Sequence, residues 1–243
     1  LPQVSGNYSL VAEIDKANNL EELDNTNNIK AGSSVHIDSG YGISVDVQQD
    51  VVLADRIITL TGSLTSELAD APLAGIDVIL RIYQGNALFD SIKVSTNSLG
   101  SFVTSYELPG SSAGNFSIRA ELFGGESDTL DSFSVAGLNV AASSQKRQWE
   151  IIDGQSVTGK FTVVNTGSVD LTGVTLISNI LPPNIIFEVM SEPVDLKAGE
   201  SAEISYKITG NGVDTGTFYS VLELSATSNE GVSDAFKGYT YVE

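Results

Sequence analysis

The stretch Ile76-Asp-Val-Ile-Leu-Arg-Ile-Tyr83 places Val, Leu and Ile at every second position, with Asp and Arg between them. A period of two is typical of a half-buried β-strand, because successive side chains of a strand point to opposite faces. Comparable stretches recur at residues 8–14, 57–62, 161–164 and 218–224. The alternation therefore predicts a protein built from strands.

Turn sequences separate these stretches at intervals of about 8 to 12 residues. They are Asn97-Ser-Leu-Gly100, Pro109-Gly110, Gly124-Gly125, Asn165-Thr-Gly167 and Gly210-Asn-Gly212. Only residues 18–24 have helical character, and that segment is too short to be stable alone. We therefore expect an all-β fold of tandem immunoglobulin-like β-sandwiches rather than a barrel.

Two boundaries are expected, near Val45 and Gly137, because each precedes a new set of strands after a stretch rich in Gly, Ala or Ser. Residues 46–137 and 138–243 each hold enough alternating segments for a complete sandwich. Residues 1–45 hold only about three strands, which cannot enclose a core without a second sheet. The first sandwich is therefore predicted to be incomplete.

The charge of the chain excludes one class of partner and favours another. There are 31 Asp and Glu residues against 12 Lys and Arg, which gives a formal charge of −19. This charge repels nucleic acid, and the longest basic cluster is Lys146-Arg147. The many carboxylates favour a divalent cation, so Ca²⁺ is the one expected cofactor.

Several kinds of catalytic site are missing from the sequence. The chain has no Cys and a single His, His36, so a thiol nucleophile or a site with several His residues is excluded. No Gly-Lys-Ser/Thr phosphate loop is present. No apolar stretch reaches the roughly 18 to 20 residues that a membrane-spanning helix needs. We expect a protein that is not an enzyme, with no membrane span in this segment.

The segment Gly6-Asn-Tyr-Ser-Leu-Val-Ala-Glu-Ile-Asp15 is followed by Asn18, Leu20, Glu22, Asp24 and Asn27-Asn28. This order resembles the C-terminal half of a cell-adhesion-related domain of bacteria, the CARDB family, over about residues 4–38. The resemblance implies an immunoglobulin-like sandwich of the kind repeated in secreted and surface proteins of bacteria and archaea.

The last part of the chain contains Gly159-Lys-Phe-Thr-Val-Val-Asn-Thr-Gly167 and Leu196-Lys-Ala-Gly-Glu-Ser201. These two turns resemble those of sandwiches in S-layer-related proteins and beside the catalytic domains of secreted glycosidases. Both turns also have a local explanation, because Asn and Gly tolerate the positive φ of tight connections. The middle part resembles bacterial Ig-like modules in a generic way.

Oxygen-bearing side chains are concentrated in one short segment. Calcium takes about six to eight oxygen ligands, often from closely spaced side chains. The candidate ligands are Asp15, Asn18, Glu22, Asp24, Asn27 and Asn28. The alternative is that these residues cap turns by bonding to nearby backbone N–H groups.

Two further kinds of surface site are open from the sequence. Asn7 and Asn115 begin Asn-x-Ser sequons and are candidate glycosylation sites. Trp149 could stack on sugar rings, although the core of a sandwich is the more frequent place for such a residue.

Together these features indicate a rod-like extracellular segment, secreted or at the cell surface. We expect a structural or adhesive module of a prokaryotic cell-surface protein or surface filament. It would act by spacing and by strand-mediated or calcium-supported association with copies of itself, adjacent surface-protein domains or glycans. The partial sandwich would be either part of a longer repetitive protein or completed by a strand of a neighbouring subunit. The alternative function is a carbohydrate-binding or spacer module of a secreted hydrolase.

Overall fold

The computed structural model describes residues 6–13, 29–37, 40–53, 55–67, 69–145, 148–212 and 220–242. Within these ranges the chain forms strands, turns and bends and no helix, so the predicted all-β class is confirmed. Consistent with this, the described residues hold no helix able to cross a membrane.

A two-stranded antiparallel sheet comes first. Strand β1 (Gly6–Glu13) pairs with β2 (Ile29–Ile37), from Gly6 opposite Ile37 to Glu13 opposite Ile29. In the part of the chain that is described, no third strand joins this sheet. Val11 and Ile29 are 56% and 61% exposed. A two-stranded sheet does not bury a core by itself.

Ten strands form the next unit, which we call sandwich I: β3 (Tyr41–Val47), β4 (Val51–Val52), β5 (Ile57–Ser66), β6 (Ala71–Pro72), β7 (Asp77–Gln84), β8 (Ala87–Ser95), β9 (Ser101–Glu107), β10 (Gly114–Leu122), β11 (Gly125–Glu126) and β12 (Asp131–Val135). In one sheet, β5 pairs with β3, β6 and β9. The facing sheet has the order β4-β12-β10-β7-β8, and β11 pairs with β10. Strand β4 runs parallel to β12, and the other pairs are antiparallel.

Nine strands form sandwich II: β13 (Leu138–Val140), β14 (Gln148–Ile151), β15 (Ser156–Asn165), β16 (Leu171–Ile180), β17 (Ile185–Val189), β18 (Val194–Leu196), β19 (Ser201–Gly210), β20 (Ser220–Thr227) and β21 (Ser233–Val242). Its sheets have the orders β13-β15-β19-β17 and β14-β21-β20-β16-β18. As in sandwich I, a short early strand, β14, runs parallel to the last strand, β21. Both units thus divide their strands between two sheets in the immunoglobulin-like manner.

The cores follow from the period-two alternation. In β7, Val78, Leu80 and Ile82 are fully buried, as the opening pattern of the sequence predicts. They belong to one apolar cluster with Ile58 and Leu60 of the opposite sheet. Burial of each such side chain contributes about 1.5–3 kcal/mol.

Sandwich II has its own apolar cluster, and Trp149 is at its centre with no exposed surface. The indole Nε1 donates a hydrogen bond of 3.0 Å to the hydroxyl of Tyr206. Phe161 stacks on Tyr206 with ring centroids 4.6 Å apart. The core interpretation of Trp149 is therefore the one the structure supports, and its ring has no face free for a sugar.

Candidate functional site

The junction between the sandwiches is closely packed and hydrogen-bonded. Strand β12 ends at Val135 and β13 begins at Leu138, so only Ala136 and Gly137 connect the two units. The Ala136 N–H donates to the Val52 carbonyl oxygen of sandwich I at 2.9 Å. The Gly137 carbonyl oxygen accepts from the Thr166 N–H of sandwich II at 3.0 Å. The connection is therefore held by hydrogen bonds from both sides.

Burial at the junction is continuous. Val135, Ala136 and Val140 have no exposed surface, and Leu138 is 7% exposed. Leu53 belongs in sequence to sandwich I but packs against the apolar cluster of sandwich II. Domains joined by exposed, flexible linkers are expected to move relative to one another, and this connection is neither exposed nor free of contacts.

Two glycines allow the close approach. A Cβ atom at Gly137 would lie 2.5 Å from the Ala113 Cβ and 2.6 Å from the Thr166 Oγ1. A Cβ atom at Gly167 would overlap the Gly137 nitrogen and lie 2.7 Å from the Val135 carbonyl oxygen. All of these distances are shorter than a van der Waals contact, so neither Gly137 nor Gly167 has room for a side chain.

This contact corrects the explanation given for the Asn165-Thr-Gly167 turn. Gly167 is not among the residues with positive φ, so it is required by the approach of the connecting segment and not by its own backbone angle. Gly199 of the second predicted turn does have positive φ, at 79°. Asn165 is fully buried, and its Nδ2 donates to the carbonyl oxygens of Val169 and Leu196 at 2.8 and 3.0 Å.

A cleft of about 440 Å³ opens beside the connecting segment. Arg56 lies on the sandwich I side and donates from Nη1 to the Ser112 carbonyl oxygen. Burial lowers the pKa of the Arg56 guanidinium from its ordinary value. On the sandwich II side, the Asp234 Oδ2 accepts from the Val140 N–H at 2.8 Å. Both charged groups thus bind protein backbone and hold loops and strands at the junction in place.

The predicted calcium ligands Asp15, Asn18, Glu22, Asp24, Asn27 and Asn28 all lie outside the described residues. Elsewhere, within the described ranges, no group of three or more acidic, His or Cys side chains is arranged to hold a metal ion. The carboxylate of Asp131 instead accepts from the backbone N–H groups of Val47 and Ser132, at 2.6 and 2.8 Å.

The two sequons lie on strands. Asn7 is in β1, in register with His36 of β2. Asn115 is exposed on β10, and its Oδ1 accepts a hydrogen bond of 3.0 Å from the Ser134 hydroxyl. The Asn115 side chain is accessible but already bonded across the strands.

A charged cluster that the sequence did not reveal covers the outer face of β7 and β10. The Arg81 Nε donates to the Glu121 Oε2 at 2.7 Å and lies 3.4 Å from the Glu126 Oε2. The Arg119 guanidinium lies 4.5 Å from the centre of the Tyr83 ring, and the Tyr83 hydroxyl donates to Glu126 at 2.9 Å. The hydrogen bond that Arg81 donates to the Glu121 carboxylate raises the pKa of Arg81. These contacts join β7, β10 and β11 and help to hold the strands in register.

Comparisons with known proteins assign no family. No protein-family model matches the chain, and no curated protein matches it. The resemblances to CARDB domains and to S-layer-related sandwiches therefore stay predictions.

Three solved structures show the range of similarity. Salmonella α2-macroglobulin reacted with methylamine is 12% identical with a TM-score of 0.44, over 97% of this chain and 18% of that one. A three-Ig structure of titin domains I67–I69, an E-to-A mutated variant, is 14% identical with a TM-score of 0.34; the match covers 98% of this chain and 75% of the titin chain. A protein of unknown function from Porphyromonas gingivalis W83 is 9% identical with a TM-score of 0.31; the match covers 83% of this chain and 99% of that protein. With TM-scores this low, the immunoglobulin-like assignment rests on the strand pairing described above.

Proposed function

We propose that the chain is a non-catalytic structural module of a prokaryotic cell-surface protein or surface filament, and that sandwiches I and II form one rigid spacer. The observation that carries the proposal is the connection through Ala136 and Gly137, which is buried and hydrogen-bonded to both sandwiches. A spacer that holds a binding element away from a surface needs such a junction, because a flexible one would let the distance vary.

An extracellular place and an adhesive role extend this proposal. They are supported by the acidic composition, which keeps a protein soluble and self-repelling, and by the resemblances noted in the sequence. Calcium bound by the segment from Asp15 to Asn28 would stiffen the connection between β1 and β2. The alternative function, carbohydrate binding in a secreted hydrolase, loses its main aromatic candidate because Trp149 is buried.

Distance measurement by pulsed electron paramagnetic resonance tests the rigid spacer. The chain has no native Cys, so spin labels attach only at introduced sites. Ser91→Cys on β8 and Ser201→Cys on β19 place one label at an exposed position of each sandwich. We expect a narrow distance distribution.

The matched control carries the same labels and an insertion of Gly-Gly-Ser-Gly between Ala136 and Gly137. This insertion separates the hydrogen bonds on the two sides of the connection, and the distribution should broaden. An equally broad distribution in the chain without the insertion would overturn the rigid-spacer proposal.

A further inference from the structure

Strand β9 of sandwich I has one open edge. Its counterpart in sandwich II, β19, lies between β15 and β17, which pairs with it from Ile185 opposite Gly210 to Val189 opposite Tyr206. Strand β9 pairs with β5 alone among the described strands. In sandwich I the sheet that contains β5 therefore ends at β9, whereas in sandwich II the corresponding sheet continues past β19 to β17.

The backbone groups of this edge can be assigned from the ladder. The Leu64 N–H donates to the Gly100 carbonyl oxygen, and the Leu108 N–H donates to the Arg56 carbonyl oxygen. In an antiparallel pair the bonded residues alternate, so the even-numbered residues of β9 bond to β5. The N–H and C=O groups of Val103, Ser105 and Glu107 then point to the open edge.

The turn before β9 defines where this free edge begins. The Asn97 N–H donates to the Ser101 carbonyl oxygen at 2.8 Å, and the Ser101 N–H donates to the Asn97 Oδ1 at 3.1 Å. Ser101 is therefore occupied, and an added strand would start at Val103.

The edge has few of the features that prevent pairing. Strand β9 contains no Pro and no irregularity in its register, its one charged residue is Glu107 at its end, and Val103 is 72% exposed. Edge strand β8 of the other sheet, by contrast, carries Asp90 and Lys93 and an irregularity in its register. Charges and bulges are what protect edge strands from unintended partners. The contrast within one sandwich marks β9 as an edge that is left available.

We propose that β9 pairs with β9 of a second copy of this chain, in antiparallel orientation about a two-fold axis at Ser105. This register places Val103 opposite Glu107 of the second copy and Thr104 opposite its Tyr106. No like charges are opposite one another, and a β-branched residue opposite an aromatic one is a favourable pair. About six backbone hydrogen bonds would form. A two-fold contact of one strand with itself gives a closed dimer.

The pairing deepens the proposed association of neighbouring copies and does not depend on the rigid junction. Each copy carries a charge of −19, so repulsion opposes the dimer at low ionic strength. Added salt should therefore strengthen association, because it screens this repulsion more than it weakens backbone hydrogen bonds.

Light scattering after size exclusion, at low and at high NaCl concentration, tests the proposal. We expect twice the monomer mass of 25.6 kDa in high salt. Val103→Glu places a carboxylate opposite Glu107 of the second copy, twice in each dimer, and should return the mass to that of the monomer. Leu99→Glu is the matched control, because Leu99 is 74% exposed in the turn before β9 and the same charge is added outside the ladder. This control should remain a dimer.

Each other result argues against the β9 dimer. A monomer at all salt and protein concentrations, or a dimer unaffected by Val103→Glu, would overturn it. A polymer that grows with concentration would assign association to other strands, such as β1 and β2. Equal melting temperatures of the two Glu variants show that the change in mass is not caused by unfolding. None of these results would affect the label distances across the junction.

Discussion

The substitution Gly167→Ala examines the junction at its tightest contact. The new Cβ atom would lie 2.7 Å from the Val135 carbonyl oxygen and 2.8 Å from the Ala136 carbonyl carbon. Both are backbone atoms of the connecting segment, so no side-chain rotation relieves the overlap. Overpacking of this kind costs about 1–3 kcal/mol. The overlap is also relieved if the two sandwiches move apart at the junction. The substitution should therefore lower the free energy of unfolding and also loosen the junction.

The matched control is Gly110→Ala, which lines the same cleft. A Cβ atom at Gly110 would have nothing within 4 Å, and Gly110 is not among the residues with positive φ. Replacing such a Gly changes stability by less than about 1 kcal/mol, in the stabilising direction, because it restricts the unfolded chain.

Two assays follow the prediction. Trp149 is the only Trp and is buried in sandwich II, so its fluorescence during urea unfolding reports on that sandwich. Label distances between positions 91 and 201 report on the junction. Gly167→Ala should lower the free energy of unfolding and broaden the distances, and Gly110→Ala should do neither. Equal behaviour of the two variants would refute the close contact between Gly167 and the connecting segment.

Three further predictions concern the core, an ion pair and calcium. Trp149→Phe leaves the Tyr206 hydroxyl without its hydrogen-bond donor and creates a cavity. The free energy of unfolding, measured by circular dichroism, should therefore fall by about 2–4 kcal/mol. An unchanged free energy of unfolding would contradict the core role of Trp149. The hydrogen bond from Lys237 holds the pKa of Glu223 below its ordinary value of 4.5, so its stabilisation is present at neutral pH and lost as pH falls through the lowered pKa. Glu223→Gln should therefore reduce stability at pH 7 and not in strong acid, and an equal effect at both would be inconsistent with the ion pair. Calcium should raise the melting temperature relative to that in a chelator. At a free Ca²⁺ concentration of a hundred times the dissociation constant, the free energy of unfolding should rise by about 2.7 kcal/mol. Asp24→Asn should reduce this stabilisation, and an unchanged melting temperature in calcium would rule out the calcium site.

The strands could be predicted because their signal is local. Val78, Leu80 and Ile82 are buried on one face of β7, as a period of two requires. The same logic predicts a core position for Trp149 in a short strand with burial at alternate residues. The parallel pairing of β14 with β21 could not be predicted, because it joins segments far apart in the sequence.

The junction could be predicted only in part. Gly137 and Asn165-Thr-Gly167 stand out in the sequence as turn elements, but their contact brings together residues from different sandwiches. A turn motif has a sufficient local explanation, so nothing in the sequence signals the second role of Gly167. The cluster of Arg81, Arg119 and Glu121 is similar, since it depends on the register of β7 against β10.

Rotational diffusion measured by ¹⁵N relaxation tests the rigid spacer most directly. The buried amides of β5–β10 in sandwich I and of β15–β21 in sandwich II provide separate probes. If the connection through Ala136 and Gly137 is rigid, both sets of amides fit one diffusion tensor, that of the whole chain. Two different and shorter correlation times, one for each sandwich, would contradict the proposed function.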